Sequence, residues 1–235
     1  SFAPASMTLP YETLAKAFGT ARAFVDAKLP GMAVLRGIQM EGPFFAEKKK
    51  GAQNGAFIKS PTMEEFKTLR NIKKLSLAPE LDGALDFIRE CVTTTDTVIS
   101  IGHSATDYDT AIAAIENGVT SLTHTFNAMS PLHHRNPGVI PAAVENKNVR
   151  AELICDGLHV HPASVRLAFS MFGGDRMVLI SDSLRATGMP DGIYPFGGQE
   201  IEVHGNRATI AGHPETLAGS VTSLMGCVRQ AVKYG

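Results

Sequence analysis

The sequence predicts an α/β protein of the β/α-barrel type, and three observations lead to this prediction. Short apolar segments alternate with amphipathic segments along most of the 235 residues. The apolar segments are rich in Val, Ile and Leu and largely lack polar alternation, which is typical of parallel strands buried on both faces. Seven such units in succession favour a barrel over an open sheet. A doubly wound sheet is the alternative that the pattern leaves open.

Six apolar segments are predicted to be strands. They span 32–40, 74–79, 96–102, 118–123, 150–155 and 175–181. The opening Ser1-Phe2 is interpreted as the end of a seventh strand, so the first strand of the barrel is expected outside the chain. The chain also opens without an initiator Met and closes inside a helical pattern. We therefore expect it to be part of a longer protein.

Amphipathic helical stretches lie between the predicted strands, and the clearest are 9–28, 61–72 and 105–118. Pro10 is suited to the first turn of the first stretch. The third stretch ends in Asn117-Gly118, a pair that is typical of a helix C-terminus. These stretches supply the crossover helices that a parallel sheet requires.

The spacing of polar and apolar residues changes in one segment. Residues 191–212 alternate polar and apolar side chains and contain the turn pairs Gly197-Gly198 and Gly205-Asn206. This pattern predicts a β-hairpin inserted before the final helix. The whole of 1–235 is otherwise expected to form one partial barrel, because 235 residues, 44% of them hydrophobic, are enough for a single large core.

The composition argues against several classes of partner. The formal net charge of -1 shows no basic excess, which argues against nucleic-acid binding. No apolar run approaches the roughly 18 residues needed to span a membrane, and no charged-then-apolar leader opens the chain. The three Cys residues are an odd, widely spaced set, typical of reduced thiols. A cytoplasmic protein with neither a membrane nor a nucleic-acid partner is expected.

Polar side chains follow five of the predicted strands at their C-terminal ends. They are Glu41, His103, His124, the Asp156–His159 turn and Asp182. Because the C-terminal strand ends of a β/α barrel converge on one face, we expect these side chains to face one another. The Gly42-Pro43 turn is expected to hold Glu41 at this rim.

One carboxylate and two imidazoles match a catalytic zinc site, in which three protein ligands leave a fourth position open. The pattern alone also allows two structural interpretations. A histidine at a strand end is often a hydrogen-bonded structural residue, and Asp182 is also suited to capping a turn or a helix.

Six motifs occur in a particular order along the chain. They are "GIQMEGPFF", "ISIGHSATD", "SLTHTFNAMSPLHHRNPG", "ICDGLHVHP", "LISDSLRATG" and "TLAGS". Together they resemble the N-acetylglucosamine-6-phosphate deacetylase family of the amidohydrolase superfamily, and the combination of "HTFNAM" with "DGLHV" is specific to that family. The resemblance runs over the whole chain. It implies a metal-bearing (β/α)8 barrel, here lacking its first strand, and a small β-sandwich domain outside the chain.

The resemblance also implies an activity, which is hydrolysis of the acetamide of N-acetylglucosamine-6-phosphate to glucosamine-6-phosphate and acetate in amino-sugar catabolism. It implies that Glu41, His103 and His124 bind the metal and that Asp182 is the catalytic acid/base. It further implies a homodimer and a sugar-phosphate pocket. The pocket residues are Ala52, Asn127, Ala128, Arg135, His159, Leu217, Ala218 and Gly219.

The chemistry of these residues suits amide hydrolysis. Asp182 is placed to act as general base and then general acid, His159 to bond a substrate oxygen, and Arg135 to bind a phosphate with its planar cation. The divalent ion is expected to be zinc, and the number of ions depends on the absent first strand. Gln39 departs from the family, whose members often have His there.

Two other functions stay open at this point. One is a different metal-dependent amidohydrolase that acts on a cyclic amide or an aminated base. The other is a non-catalytic sugar-phosphate binding protein on a decayed barrel, which the retained Glu, two His and Asp disfavour.

Overall fold

The computed structural model describes all 235 residues, and its centre is a six-stranded parallel half-barrel sheet. The strands are β1 (Ile38–Glu41), β2 (Ile72–Leu77), β3 (Val98–Ile101), β4 (Val119–Leu122), β5 (Arg150–Ile154) and β6 (Met177–Ile180). Each strand pairs with the next in chain order. All six predicted strands are present, and their C-terminal ends lie at one edge of the sheet, as parallel pairing requires.

The N-terminal residues run beside β1. Phe2 bridges Leu35 and Ala5 bridges Gln39, both in parallel orientation. This pairing agrees with the interpretation of the opening residues as part of a further strand. The predicted 32–40 strand is shorter than expected, because Met32 and Val34 are apolar but more than half exposed and pair with no strand partner in a regular ladder.

Seven α-helices accompany the strands. They are α1 (Tyr11–Asp26), α2 (Met63–Thr68), α3 (Ala84–Thr94), α4 (Tyr108–Glu116), α5 (Val139–Glu145), α6 (Pro162–Phe172) and α7 (Leu224–Tyr234). The helix predicted over 61–72 ends at Thr68, because Asn71 takes a left-handed φ of 68° and Ile72 is already buried in β2. Pairing of Ile72 with Ile38 in the sheet therefore overrides its helical pattern. None of the helices has the length and apolar character needed to cross a membrane.

A second, antiparallel sheet follows β6. Its strands are β7 (Gly192–Phe196), β8 (Gln199–His204), β9 (Arg207–Ile210) and β10 (His213–Leu217), paired in chain order. The range 191–212 predicted as a hairpin contains three strands, β7, β8 and β9, and ends at Gly212, which has a φ of 78°. The prediction missed β10, because the exposed His213-Pro214-Glu215 lacks apolar alternation.

The two faces of the half-barrel sheet differ in polarity. Apolar side chains such as Leu75, Ile99 and Leu122 have no exposed surface and belong to the main core cluster with the helices. On the other face, the Thr123 hydroxyl lies 2.7 Å from both the Ser76 and the Ser100 hydroxyls. The inner face of the half-barrel is therefore a polar surface that leads up to the C-terminal strand ends.

Arg176 ties two helix ends to the start of β6. It is 7% exposed, and its guanidinium donates to six backbone carbonyls at 3.0–3.4 Å. These carbonyls belong to Ala143, Val144, Asn146, Val149, Met171 and Phe172. Five of them lie at the C-terminal ends of α5 and α6, where carbonyls lack helical partners and the helix dipole is negative, and the sixth, that of Val149, lies directly before β5. One buried cation thus satisfies two helix ends at once.

Replacing Arg176 is expected to destabilise the fold strongly. Arg176→Met removes every donor from this cluster, and each buried carbonyl left without a partner costs about 1–3 kcal/mol before water or relaxation compensates. We expect urea denaturation to show a free energy of unfolding lowered by about 2–4 kcal/mol. Arg89→Met is the matched control, since Arg89 and its partner Asp86 are exposed, and it should change little. Equal stability of the Arg176 variant and the wild type would contradict this role.

Candidate active site

Three side chains meet at the C-terminal edge of the half-barrel sheet. The His103 Nε2 atom lies 3.1 Å from Glu41 Oε1 and 3.1 Å from His124 Nε2, and His124 Nε2 lies 3.6 Å from Glu41 Oε1. All three residues are buried, at 4–6% exposure. Their ligand atoms lie within 4.8 Å of one another. Glu41 ends β1, while His103 and His124 follow β3 and β4, so the predicted convergence of strand ends is observed.

The hydrogen bonding of His103 indicates what this cluster is built to hold. Its Nδ1 lies 2.8 Å from the Lys49 carbonyl, which can only accept, so Nδ1 carries a proton. In the neutral ring, Nε2 then presents a lone pair to the carboxylate of Glu41. His103 Nε2 and Glu41 Oε1 are then two acceptor atoms only 3.1 Å apart. Such a pair requires either a positive charge between the two atoms or a second proton on the His103 ring. The His-His-Glu set is one that catalytic zinc uses, and an outer hydrogen bond that orients a ligating His is typical of metal sites. The residues fit a divalent ion.

The cluster is also strongly charged. Burial acts to raise the pKa of the Glu41 carboxyl, but hydrogen bonds from His103 and His124, together with their charge, hold it well below its usual range. Burial acts to lower the pKa of His124, and the hydrogen bond and charge of Glu41 outweigh it and raise that pKa to about 9. The carboxylate of Glu41 is therefore kept ionised, as a metal ligand must be, whereas His124 would have to release its proton to bind an ion.

The backbone around the cluster is strained. Seven residues other than glycine have a positive φ, and five of them lie here: His103, His124, Phe126, Ala128 and Asp182. Such conformations cost of the order of 1–3 kcal/mol each and persist where the surroundings enforce them, often at functional sites. At Gly42, directly after Glu41, the surrounding atoms restrict the backbone in this way. Its φ is 80°, and a Cβ there would meet the Thr8 hydroxyl oxygen at 2.1 Å.

Asp182 follows β6 and faces the cluster. Burial, followed by the negative charge of Glu41, raises the pKa of its carboxyl, while the charges of His124, His159 and His103 oppose that rise. Its backbone carbonyl accepts from Ser220 N at 2.9 Å, and Leu184 N donates to Ser220 O at 2.8 Å. The "TLAGS" segment is thus bonded directly to the turn that carries Asp182.

The Asp156–His159 turn follows β5 and forms another side of the site. Asp156 Oδ1 accepts from Leu158 N and His159 N at 2.9 Å each, and its Oδ2 lies 2.7 Å from His159 Nδ1. Burial acts to raise the pKa of Asp156, but the bond from His159 and the backbone donors lower it. An ionised carboxylate with three donors therefore sits behind the His159 ring.

A cavity of about 470 Å³ lies over these groups. Among the residues singled out from the sequence, ten line it: Glu41, Ala52, His103, His124, Asn127, Ala128, His159, Asp182, Leu217 and Gly219. Ala218 is fully buried behind the wall, between Leu217 and Gly219. Arg135 is exposed on the loop after β4, does not line the cavity, and lies with Nη1 2.8 Å from His134 Nε2.

Sequence reasoning missed several lining residues, including Ser6, Gln53, Arg185 and Phe196. Gln53 is 8% exposed, and its Oε1 accepts from Thr8 N at 2.8 Å. Gln199 donates to the Ala52 carbonyl at 3.0 Å, which joins the start of β8 to the loop after β1. The motif "GPFF" pointed to that loop, but no pattern indicated which distant segments would close over it.

No family model matches the chain. Curated proteins do match it, including the N-acetylglucosamine-6-phosphate deacetylases of Bacillus subtilis (39% identity over 95% of this chain and 58% of that protein) and Danio rerio (36%, over 97% and 58%). The N-acetylgalactosamine-6-phosphate deacetylase of Escherichia coli O157:H7 matches at 35% identity over 99% of this chain and 62% of that protein.

Solved structures give the same relationship. A mutant N-acetyl-D-glucosamine-6-phosphate deacetylase of Mycobacterium smegmatis, in complex with N-acetyl-D-glucosamine-6-phosphate, superposes with a TM-score of 0.92 at 35% identity, over 99% of this chain and 60% of that one. The Thermotoga maritima enzyme has a TM-score of 0.92 at 29% identity, over 100% and 63%. The chain spans about three fifths of the length of these proteins. By sequence and by fold, the chain is therefore a relative of the N-acetylglucosamine-6-phosphate deacetylase family.

Proposed function

We propose that the protein containing this chain hydrolyses the acetamide of N-acetylglucosamine-6-phosphate, giving glucosamine-6-phosphate and acetate. The observation that carries the proposal is the convergence of Glu41, His103, His124 and Asp182 in one cavity. The names of the matching relatives supply the substrate class. Because one relative is named for the galacto epimer, N-acetylgalactosamine-6-phosphate is the second substrate to assay.

Glu41, His103 and His124 are proposed to hold one zinc ion. When bound, a divalent ion supplies Lewis acidity, which polarises a carbonyl and makes water more acidic. The acceptor atoms of the three side chains already face one point, so binding requires little rearrangement. His103 is oriented for this task by the Lys49 carbonyl.

Asp182 is proposed to move the protons. As the carboxylate it takes a proton from the attacking water, and as the acid it delivers that proton to the departing nitrogen. The amide nitrogen is a poor leaving group unless it is protonated, so both halves of the transfer matter. The burial that raises the pKa of Asp182 favours the acid form needed in the second half.

The other lining groups are proposed to bind the sugar phosphate. His159 bonds a substrate oxygen, while Asn127, Ala128, Ala52 and the backbone of 217–219 line the pocket. Arg135 lies outside the cavity of its own chain. Its proposed contact with the 6-phosphate is therefore made across the interface of a homodimer.

The remaining architecture is proposed by the same relationship. The complete protein is a cytoplasmic enzyme with a (β/α)8 barrel, to which the half-barrel sheet contributes, and a small β-sandwich domain. The relatives are longer than this chain, which matches 60–63% of two of them, so a full-length protein of their size has room for further strands and a second domain.

The metal site can be tested by Glu41→Gln. The substitution keeps the shape of the side chain and removes the negative charge, so zinc content measured by mass spectrometry should fall from one ion per chain to a small fraction. Glu47→Gln is the control, since Glu47 is exposed and pairs with Lys50. Far-UV circular dichroism should match the wild type for both. Full zinc occupancy in the Glu41 variant would remove Glu41 from the ligand set.

The proton-transfer role can be tested by Asp182→Asn in the complete gene product. The amide cannot accept or deliver the proton, so kcat should fall by about 10²–10⁴-fold, the range typical of general acid–base catalysis. Binding of N-acetylglucosamine-6-phosphate, measured by calorimetry, should persist. Asp82→Asn, an exposed position, is the control and should keep its activity. A near-normal kcat in the Asp182 variant would mean that another group is the base.

The phosphate contact can be tested by Arg135→Ala. Hydrogen bonds to charged groups contribute roughly 1.5–3 kcal/mol, so kcat/KM for N-acetylglucosamine-6-phosphate should fall by about 10- to 150-fold. Unphosphorylated N-acetylglucosamine should be affected far less. Leu132→Ala, an exposed change in the same loop, controls for loop structure. Equal losses on the two substrates would show that Arg135 supports the structure of the loop rather than binding the phosphate.

A further inference from the structure

Asp156 is a buried carboxylate that the proposed chemistry does not use. It is 3% exposed, and all of its hydrogen bonds go to the next turn of its own chain: two backbone N–H groups and the Nδ1 of His159. A cap on a turn needs only the two backbone bonds, and these both go to Oδ1. The second oxygen is committed wholly to the imidazole.

This geometry determines which ring atom faces the cavity. An ionised carboxylate only accepts, so His159 Nδ1 carries a proton and donates it to Asp156 Oδ2 at 2.7 Å. The opposite ring atom, Nε2, is the one left for the cavity that His159 lines. In the neutral ring this atom is an acceptor. Without Asp156, the ring would be free to rotate and to take either tautomer.

The Asp156–His159 turn packs against α7. Gly157 has a φ of 88°, and a Cβ there would lie 3.0 Å from the Tyr234 hydroxyl and 3.7 Å from Gln230 Nε2, both on α7. Cys155 and Cys227 of α7 are fully buried in the same core cluster. The Asp156–His159 unit therefore rests on a packed helix, which makes its orientation reproducible.

A hydrogen-bond acceptor at His159 Nε2 would bind a donor group of the substrate. Asp182 and Glu41 are occupied by proton transfer and by the cation cluster, and the Oε1 of Gln53 is already bonded to Thr8 N. A sugar phosphate brings ring hydroxyls that are donors and need acceptors when they are desolvated.

We propose that Asp156 is a positioning residue for substrate binding, which holds His159 in the Nδ1–H tautomer so that Nε2 accepts a hydrogen bond from a hydroxyl of the amino-sugar ring. The inference rests on the proposed function, because it takes the sugar phosphate as the ligand. Asp156 itself does not touch the substrate. It acts only through the orientation and protonation pattern of the His159 ring.

The test uses Asp156→Asn, His159→Gln and the double variant in the complete gene product. In Asp156→Asn, the amide oxygen still accepts from the two backbone N–H groups, so the turn is kept. The amide nitrogen then faces His159 Nδ1 as a donor, and the ring proton should move to Nε2. Nitrogen-15 NMR of labelled histidines reports this directly, and the His159 signal is the one missing from His159→Gln.

The kinetic arm separates positioning from structure. Asp156→Asn should lower kcat/KM by about 10- to 100-fold, the loss of one charge-supported bond, with most of the loss in KM. His159→Gln should show a similar loss. The double variant should be no worse than His159→Gln, because Asp156 acts only through that ring. If Asp156 only stabilised the fold, the losses in kcat/KM of the two single variants would instead add in the double variant.

Three results would overturn the inference: a wild-type His159 proton on Nε2, an Asp156→Asn ring that keeps the wild-type tautomer, or additive losses in the double variant. The wild-type NMR measurement stands even if a variant fails to fold. If the wild type deacetylates neither amino-sugar phosphate, the proposed function fails. In that case the NMR measurement still decides whether Asp156 determines the tautomer of the His159 ring.

Discussion

The arrangement of three acceptor atoms around one point is the constraint on which the rest of the structure depends. Glu41 Oε1 and the Nε2 atoms of His103 and His124 repel one another unless positive charge lies between them. Holding them together requires burial, an oriented second nitrogen on His103 and a strained backbone at both histidines. A proton on His124, whose pKa Glu41 raises to about 9, supplies such a charge in the folded chain. A bound cation would supply it as well and would offset the electrostatic and conformational costs together.

The half-barrel sheet makes this arrangement possible in a simple way. Parallel strands present their C-terminal ends on one edge, so residues far apart in sequence become neighbours without long loops. The polar inner face, with Ser76, Ser100 and Thr123 bonded to one another, lies directly beneath the two histidines. The apolar outer face carries the packing against the helices. Stability and chemistry are thus assigned to opposite faces of the same strands.

The sequence predicted these strand ends well because the pattern is local. Apolar runs before Glu41, His103, His124 and Asp182 marked the strands, and parallel topology then placed the side chains together. The same reasoning overextended the helix at 61–72, since a local pattern does not register that Ile72 is buried by pairing with Ile38. The contacts of Gln199 with Ala52 and of Arg176 with two helix ends join segments that no local pattern connects. Those contacts could only be found in the folded chain.

The bond between Ser220 and the Asp182 turn has a consequence for the order in which the site is assembled. The three residues of the Glu-His-His cluster all precede residue 125, whereas the cavity walls from Asp182, β7 and the "TLAGS" segment come after residue 180. A ribosome delivers the N-terminal part of a chain first. The Glu-His-His cluster and the walls over it are therefore synthesised at different times, and the cavity is closed only when the "TLAGS" segment has bonded to the Asp182 turn.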